Sequence, residues 1–470
     1  MRRRASVLLL AAVSLAGCLA TQPVEKPAVA VPAAWEARPD GAGVWPDTAW
    51  WQGFGSTELD GLVAAAAAGN DDLATAVLRI REAELQARIA GAALQPTLSG
   101  NAGVDRTWTK RTTTVAGRTT TASDLSGETS WSGGLAAGYQ VDLFGANRAA
   151  VDAALARVTV SEYDRATVAI TLTADVARTY FALRAARARI ALAEQSLLAS
   201  TSVLDLLEGQ QRFGVVTELE LSRQRSAVAS QRAALAALQL TERQTRTALA
   251  VLLGRNPQGF DVAGRSLDGI VVPSIAAGLP SELLRRRPDL RSAEAALEAA
   301  SHDLAAAHAA RFPQFDLSLR ASASGDTLGS VLTLESPVLA LAGALTAPIF
   351  QGGRLEASED LAANRGAQAG LAWRSAVLDA FRDVEDALAG TDAAARRLDF
   401  AITAQREAQT AWRLVEARWR AGTVSFLDVL AAQSTAIAAD DTLADAALAR
   451  LTALVDLYVA LGGGWEFARE

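Results

Sequence analysis

Cysteine and histidine are almost absent: the 470 residues include one cysteine, Cys18, and two histidines, His302 and His308. A single cysteine cannot form an intrachain disulfide. The histidines lie six positions apart, whereas paired metal ligands on one helix face lie four apart, so we expect ordinary surface or packing roles for them. No phosphate-binding loop, nucleophile motif or cysteine cluster is found in the sequence. The sequence therefore predicts no enzyme activity and no cofactor or metal.

Proline and long apolar runs are also scarce. No proline occurs from 97 to 256 or from 349 to 470, and within these ranges a helical pattern persists from Ala146 to Arg212 and from Arg354 to Arg420. Each stretch of roughly 67 residues would be on the order of 100 Å long, which is typical of coiled-coil helices. After Val13 no apolar run approaches the ~18 residues of a spanning helix, so any membrane crossing would have to use strands.

The N-terminus has the pattern of an export signal. Three arginines precede an apolar run from Ala5 to Val13, and Leu15-Ala16-Gly17 stands directly before Cys18. This pattern resembles the bacterial lipoprotein signal, which implies a signal peptide at 1–17 and a covalent lipid on Cys18. Residues 18–50 are rich in proline and predict an extended, lipid-anchored linker. Without the three arginines, 42 basic residues face 52 acidic ones, and no basic run indicates nucleic acid.

The rest of the sequence is a tandem duplication. Asp72-Leu73 and Pro96 recur as Asp289-Leu290 and Pro313, shifted by 217 positions. We therefore divide the chain into a first structural repeat at 51–265 and a second at 266–470. Each repeat has the same order of parts: a helix, a strand pair (97–144 and 314–350), a long helix, a tip (212–220 and 420–428) and a return helix. Two equivalent halves point to a symmetric assembly rather than to one asymmetric site.

The strand pairs alternate between apolar and polar residues. Leu135, Ala137 and Tyr139 alternate with polar or small residues in the first pair, and Leu317 and Leu319 do so in the second. Such runs fit a transmembrane barrel, although a soluble sheet with one wet face shows the same alternation. The length of the two predicted coiled-coil helices favours the transmembrane barrel over the soluble sheet. Polar segments from Arg106 to Ser130 and from Ser322 to Pro337 would be extracellular loops.

Four strands per chain are too few to close a barrel, so the chain must oligomerise. A trimer supplies 12 strands and six pseudo-equivalent positions around one axis. The predicted fold is therefore mainly α with transmembrane β: a long α-helical coiled-coil barrel joined to a trimeric 12-stranded β-barrel.

Each tip contains a glycine that ends the long helix and a capping signal that begins the return helix. Thr217 with Glu220, and Ser425 with Asp428, have capping-box spacing. Small, largely apolar residues at an exposed helical end favour contact with a partner over a merely tolerated loop. The tip residues are Gly214, Val215, Val216 and Thr217 in the first repeat and Gly422, Thr423, Val424 and Ser425 in the second.

Several longer motifs carry a resemblance to a known family. They are Leu284–Leu290, Pro313–Phe315, Ala347–Arg354, Trp419–Leu430 and Leu461–Trp465. Together they resemble the outer-membrane efflux factors of the TolC and OprM type, and in particular their lipoprotein branch. The resemblance covers essentially the whole mature chain. It implies a homotrimer in outer-membrane lipid that extends into the periplasm and works with a periplasmic adaptor and an inner-membrane RND-type transporter.

The same resemblance implies roles for the tip residues. Asp428 falls on the family position that lines the periplasmic entrance, and Glu220 is its counterpart in the first repeat, so both are candidate gate residues. Their alternative role is helix capping. The tip residues named above would contact the adaptor. The chain departs from the pattern of some members, which have an acid at the position of Ala431 and a basic residue at that of Val424.

The predicted function is a passive, gated outer-membrane exit duct of a tripartite efflux pump that exports small molecules such as drugs. One alternative is the outer-membrane channel of a type I protein secretion system, which shares the fold. A second is a periplasmic adaptor lipoprotein, which lacks paired alternating strands. The sequence does not identify the exported compounds.

Overall fold

The computed structural model describes residues 24–36 and 47–465. The elements of the first half are, in order, α1 (Thr57–Gly69), α2 (Asp71–Gly91), β1 (Thr97–Val115), β2 (Arg118–Val141), α3 (Ala146–Gln211) and α4 (Glu218–Leu252). Those of the second half are α5 (Pro280–Arg286), α6 (Pro288–Ala309), β3 (Gln314–Gly325), α7 (Leu328–Leu332), β4 (Pro337–Thr346), α8 (Arg354–Arg420) and α9 (Phe426–Ala460). The two long helices thus end within one residue of the predicted bounds.

The helix predicted at the start of the first repeat is interrupted at Asn70, which ends α1 and leaves the helical conformation. The Asn70 side chain accepts a hydrogen bond from the backbone N–H of Leu73 and donates one to the carbonyl of Leu252, both at 3.0 Å. Asn70 therefore caps α2 and ties the break to the end of α4. Gly69 and Gly254 approach each other so closely that a Cβ on Gly254 would overlap the Gly69 carbonyl.

The four strands form one antiparallel sheet in the order β1-β2-β3-β4. Directly paired residues point to the same face of an antiparallel sheet, and the register aligns Leu135 with Ala321, Tyr139 with Leu317, and Leu319 with Leu341. All of these are apolar positions of the predicted alternation. The sheet therefore has one apolar face and one polar face, as predicted.

The predicted loop from Arg106 to Ser130 was wrong. β1 continues to Val115 and β2 begins at Arg118, so most of the segment is a paired ribbon. The turn consists of Ala116 and Gly117, whose φ angles of 51° and 77° suit a two-residue hairpin. Thr107 and Thr129 lie on opposite faces of this ribbon, and the threonine-rich sequence around them lacks the apolar alternation from which strands are recognised. The second predicted loop, 322–337, is also partly structured, because β3 continues to Gly325 and α7 follows it.

The chain forms two compact units. Of the described residues, one comprises 24–27, 81–159 and 294–372, and it contains the sheet. The other comprises 28–36, 47–80, 160–293 and 373–465, and its core includes the buried residues Tyr180, Phe181, Val377, Val384 and Val455. Each predicted repeat contributes to both units, so compact units and sequence repeats are different divisions of the chain. The repeat boundaries at 265 and 266 stay a prediction.

The N-terminal segment is extended where the structure describes it. In the sheet-containing unit, the backbone N–H of Val24 donates to Ser301 at 3.2 Å, and Lys26 pairs with Glu294 at 2.6 Å. In the other unit, the buried Trp35 indole N–H donates to the carbonyl of Gly278 at 3.1 Å. This segment belongs to the predicted linker at 18–50. Cys18 and the predicted signal at 1–17 lie outside the described residues.

One helix among the described residues, α3, is long and apolar enough by length and composition to cross a membrane, with a mean hydropathy of 1.3 in its best window. The expectation that no such stretch follows Val13 was wrong. The same helix contributes Tyr180 and Phe181 to a buried core. Length and composition do not distinguish such a core helix from a spanning one.

Candidate gate and docking site at the helical tips

Both long helices end in the same backbone motif. At the end of α3, Val215 N–H donates to the Gln210 carbonyl at 3.1 Å and Gly214 N–H donates to Gln211 at 2.8 Å. At the end of α8, Thr423 N–H donates to Arg418 at 3.0 Å and Gly422 N–H donates to Trp419 at 2.8 Å. These are the paired bonds of a Schellman motif. Its left-handed position is held by Gly214 (φ 74°) and Gly422 (φ 73°), where other side chains would be strained.

Both return helices begin with a complete capping box, as the spacing predicted. Glu220 Oε2 accepts bonds from the Thr217 backbone N–H at 2.9 Å and from its hydroxyl at 2.8 Å. Asp428 Oδ2 accepts the equivalent bonds from Ser425 at 3.0 and 2.7 Å. Each cap uses a single carboxylate oxygen, so it occupies only half of the carboxylate's capacity to accept hydrogen bonds.

The cap also affects the charge of Glu220. The hydrogen bonds from the Thr217 backbone and hydroxyl lower the pKa of the Glu220 carboxyl, with a smaller lowering by the positive charge of Arg223. A hydrogen bond to the charged form stabilises that form. Glu220 is therefore ionised at neutral pH, and the cap does not remove its charge.

An apolar cluster joins the two tips. Leu207 and Leu221 from the first hairpin and Phe426 and Val429 from the second are all buried in it. Trp419 packs against Phe426, with ring centroids 5.4 Å apart. Because the cluster takes residues from α3, α4 and α9, the tips of the two hairpins form a single packed layer.

A buried polar bridge also connects the two hairpins. The Gln433 amide of α9 donates to the Ser200 hydroxyl of α3 at 2.8 Å, and the Gln224 amide of α4 donates to the Ser200 carbonyl at 2.7 Å. The three side chains are almost completely inaccessible to solvent. Within the part of the chain that the structure describes, Gln224 Oε1 is buried without a hydrogen-bond partner. Polar groups buried in this way select one pairing of helices, because a shifted pairing would leave more of them unsatisfied.

The predicted adaptor-contacting residues fall into two environments. Val215 is 71% exposed, and Gly214, Thr217, Gly422, Thr423 and Ser425 are also exposed. Val216 and Val424 are half-buried, and Val216 packs against the apolar cluster. Sequence reasoning missed Phe213, which is 85% exposed, as well as the exposed Leu219 and Leu427. The available signal for Phe213 was a large aromatic residue directly before the tip glycine.

The histidines have ordinary partners far from the tips in sequence. His308 Nδ1 lies 2.7 Å from Glu359 Oε1, and Arg311 pairs with the other oxygen of that carboxylate. The His308 and Arg311 bonds lower the pKa of the Glu359 carboxyl. His302 lies 3.9 Å from Glu298, one helical turn away.

Comparisons with known proteins agree with this architecture. The family model described as outer membrane efflux protein matches residues 62–255 and 279–463. The pyoverdine export outer membrane protein OpmQ of Pseudomonas aeruginosa is 39% identical over 464 residues, covering 98% of this chain and 97% of that protein. The cation efflux system protein CusC of Escherichia coli is 31% identical over 466 residues, covering 97% of each.

A solved structure shows the same fold. The open state of the MtrE outer membrane channel of Neisseria gonorrhoeae superposes with a TM-score of 0.82 at 32% identity, covering 94% of this chain and 97% of that one. The structural relatives are trimeric channels with a helical barrel and a β-barrel, located in the outer membrane and extending into the periplasm. Efflux proteins of this type work with adaptor and inner-membrane pump partners. The chain has a four-stranded sheet and two long helices, each followed by a return helix, and the family model matches most of its sequence. This chain therefore belongs to the outer membrane efflux protein family.

Proposed function

We propose that the chain is the passive exit duct of a tripartite pump and that its entrance is gated at the helical tips by Asp428 and Glu220. The observation that carries this proposal is the equivalence of the two tips: each has the same helix stop, the same capping box and an acid at the same position. A trimer built from such chains places three Asp428 and three Glu220 carboxylates in six pseudo-equivalent positions around one axis.

These carboxylates would set the resting charge of the entrance. Like charges near one axis repel each other, and the repulsion is screened in water unless the opening is narrow. The apolar cluster around Phe426 and Leu221 opposes the repulsion because it holds the hairpins together. Capping and gating are compatible, since each cap occupies only one oxygen of its carboxylate.

The exposed tip residues would receive the adaptor. Phe213 and Val215 present apolar side chains at the end of the first hairpin, and exposed apolar groups at the end of an assembly favour contact with a partner. We expect Phe213→Ala combined with Val215→Ala to reduce export while leaving the trimer intact. Exposed Phe400→Ala on α8 is the matched control. Full export by the double variant would contradict the docking role.

The cargo is a small secreted molecule. The relative at 39% identity carries the name of a pyoverdine exporter, whereas the cation exporter named above is 31% identical. We therefore propose that the cargo resembles a siderophore more than a bare metal cation or a secreted protein. A deletion strain should retain such a compound inside the cell. Unchanged siderophore export together with loss of a secreted protein would instead favour type I secretion.

Amide and alanine variants separate gating from capping. In the double variant Asp428→Asn/Glu220→Gln, the amide oxygen can still accept the bonds from the N-cap residue, but the charge is lost. In Asp428→Ala/Glu220→Ala both the bonds and the charge are lost. Asp392→Asn, at an exposed acid paired with Arg396 one turn away, is the charge control.

The assay is conductance of purified trimers in planar bilayers, with and without a divalent cation on the tip side. We expect block by the cation to weaken in the amide variant and to be unchanged in the Asp392 variant. If the amide variant behaves like the wild type and only the alanine variant differs, the acids act as caps alone. That outcome would end the gating proposal.

A further inference from the structure

The first strand pair is much longer than the second. β1 and β2 contain 19 and 24 residues, whereas β3 and β4 contain 12 and 10. A tilted strand of about 9–11 residues suffices to cross a bilayer, so β3 and β4 already have that length. The outer end of β3 at Gly325 is in register with Trp131 of β2, which in turn pairs with Val104 of β1. Residues 105–130 therefore extend by roughly 35 Å beyond the point at which β3 ends.

The apolar face of the sheet continues into this extension, but its residue types change. Beyond the Val104–Trp131 pair, the same face carries Arg106 opposite Thr129, Trp108 opposite Gly127, and Lys110 opposite Leu125. Trp108 and Leu125 are 58% and 62% exposed, and both basic side chains are exposed.

The side chains of Arg106 and Trp108 lie together over Gly127. The Arg106 guanidinium carbon is 5.4 Å from the centre of the Trp108 ring. A Cβ added to Gly127 would lie 3.0 Å from Trp108 Nε1 and 3.4 Å from Arg106 Nε. The glycine therefore leaves room for a packed pair of an indole and a guanidinium on this face.

Acidic residues of the same ribbon occupy the opposite face. Asp105 pairs with Ser130, and Glu128 pairs with Thr107, at positions that alternate with Arg106 and Trp108. Successive side chains of a strand point to opposite faces. Among the charged residues of the extension whose side chains the structure describes, the basic Arg106 and Lys110 therefore continue the apolar face, and the acidic Asp105 and Glu128 continue the polar face.

A short helix broadens the apolar face just below these basic residues. α7 lies over this face, because a Cβ on Gly133 would lie 3.2 Å from Val331. Leu328 and Leu332 of α7 and the nearby Leu334 are exposed by 51%, 75% and 62%. From the sheet outward, this face thus passes from aliphatic residues to tryptophan with arginine and lysine.

We propose that Arg106 and Lys110 bind the phosphate groups of the anionic glycolipid that forms the outer leaflet of the outer membrane, and that Trp108 and Leu125, on the same face and at heights between Arg106 and Lys110 or level with Lys110, pack against the same headgroup. Aromatic and basic residues mark the interface of membrane proteins, and clustered basic residues bind anionic headgroups. Measured along the strand, Arg106 and Lys110 lie about 7 and 20 Å beyond Val104, where β3 ends. A phospholipid headgroup layer is only about 5–7 Å thick, so this span fits a lipid with phosphorylated sugars.

The test uses the full-length trimer in detergent and a fluorescent lipopolysaccharide with a short, phosphorylated core. Each basic residue near an anionic surface contributes about a factor of five to binding, so Arg106→Gln/Lys110→Gln should bind about 25-fold more weakly. Arg320→Gln is the matched control, because Arg320 pairs with Ala136 and Ala340 on the polar face of the same sheet. It should bind like the wild type, as should the charge-preserving variant Arg106→Lys/Lys110→Arg.

The phosphate requirement is tested with phosphatase-treated glycolipid. The wild type and Arg106→Gln/Lys110→Gln should bind the phosphatase-treated glycolipid equally weakly. Millimolar inorganic phosphate should not displace the intact glycolipid from the wild type. Equal binding by the wild type and Arg106→Gln/Lys110→Gln, equal loss in Arg320→Gln, or displacement by inorganic phosphate would each overturn the proposal. The variants must remain trimeric by size-exclusion chromatography, and the charge-preserving variant shows whether the positions tolerate substitution.

Discussion

Replacing Phe426 by alanine tests whether the two hairpin tips form one folded layer. Phe426 is 3% exposed. It packs with Leu207 and Leu221 of the first hairpin and with Val429 of its own. Truncation of a buried phenylalanine costs about 3–5 kcal/mol, from the lost transfer free energy and from the cavity left behind. Because the cluster contains residues of both hairpins, we expect this loss to destabilise both tips.

The assay is hydrogen exchange of the purified trimer, followed by mass spectrometry of peptides covering 204–221 and 415–433. A loss of 3–5 kcal/mol lowers protection by between about a hundredfold and a few thousandfold, as long as the tips exchange by local opening. Phe400→Ala is the control, because Phe400 is 74% exposed on α8. An exposed substitution changes stability by less than about 0.5 kcal/mol, or roughly twofold in protection. Faster exchange confined to 415–433 would refute the idea of a shared layer.

Three further predictions concern single residues. Gly422→Ala should destabilise the second tip by about 1–2 kcal/mol, because the φ of Gly422 is 73°. Gly390→Ala inside α8, where a Cβ meets nothing within 4 Å, should instead stabilise the helix by about 0.5–1 kcal/mol. Hydrogen exchange should therefore become faster in the peptide that contains Gly422 and slower in the peptide that contains Gly390. The pKa of Glu220 is lowered in the folded tip. The charge of Glu220 therefore stabilises the cap at pH values above the ordinary glutamate pKa, and this stabilisation is lost as the pH falls through the lowered pKa. A difference in hydrogen-exchange protection between wild type and Glu220→Gln that stays constant from pH 7 to pH 3 would contradict this. Cys18→Ser should abolish incorporation of labelled palmitate, and unchanged labelling would rule out the lipid anchor.

The long helices and the tips could be predicted because their signals are local. A proline-free stretch ending at Gly214 or Gly422 fixes where each helix stops, and the capping spacing of Thr217 with Glu220 fixes where the next one begins. The faces of the shared sheet were equally predictable, since a one-residue shift of register would move every apolar side chain to the polar face. The resemblance to outer membrane efflux proteins is confirmed by the family match.

Other features required the tertiary structure because they depend on residues distant in sequence. The polar bridge joins Ser200 to Gln433, which are 233 positions apart, and neither residue type signals such a contact. The break at Asn70 depends on a carbonyl acceptor at Leu252. The ribbon beyond Val104 was not recognised because its threonines show no apolar alternation, and only its pairing with β2 makes it a strand.

The sequence by itself determined the order of the parts, the ends of the helices and the family, because periodicity, capping and glycine conformation act over a few residues. Only the folded chain decided which faces meet: the tips share one apolar cluster, Val216 turns inward while Phe213 stays exposed, and Arg106 and Lys110 continue the apolar face of the sheet. These outcomes follow from packing between segments far apart in sequence, and local patterns carry no information about such contacts.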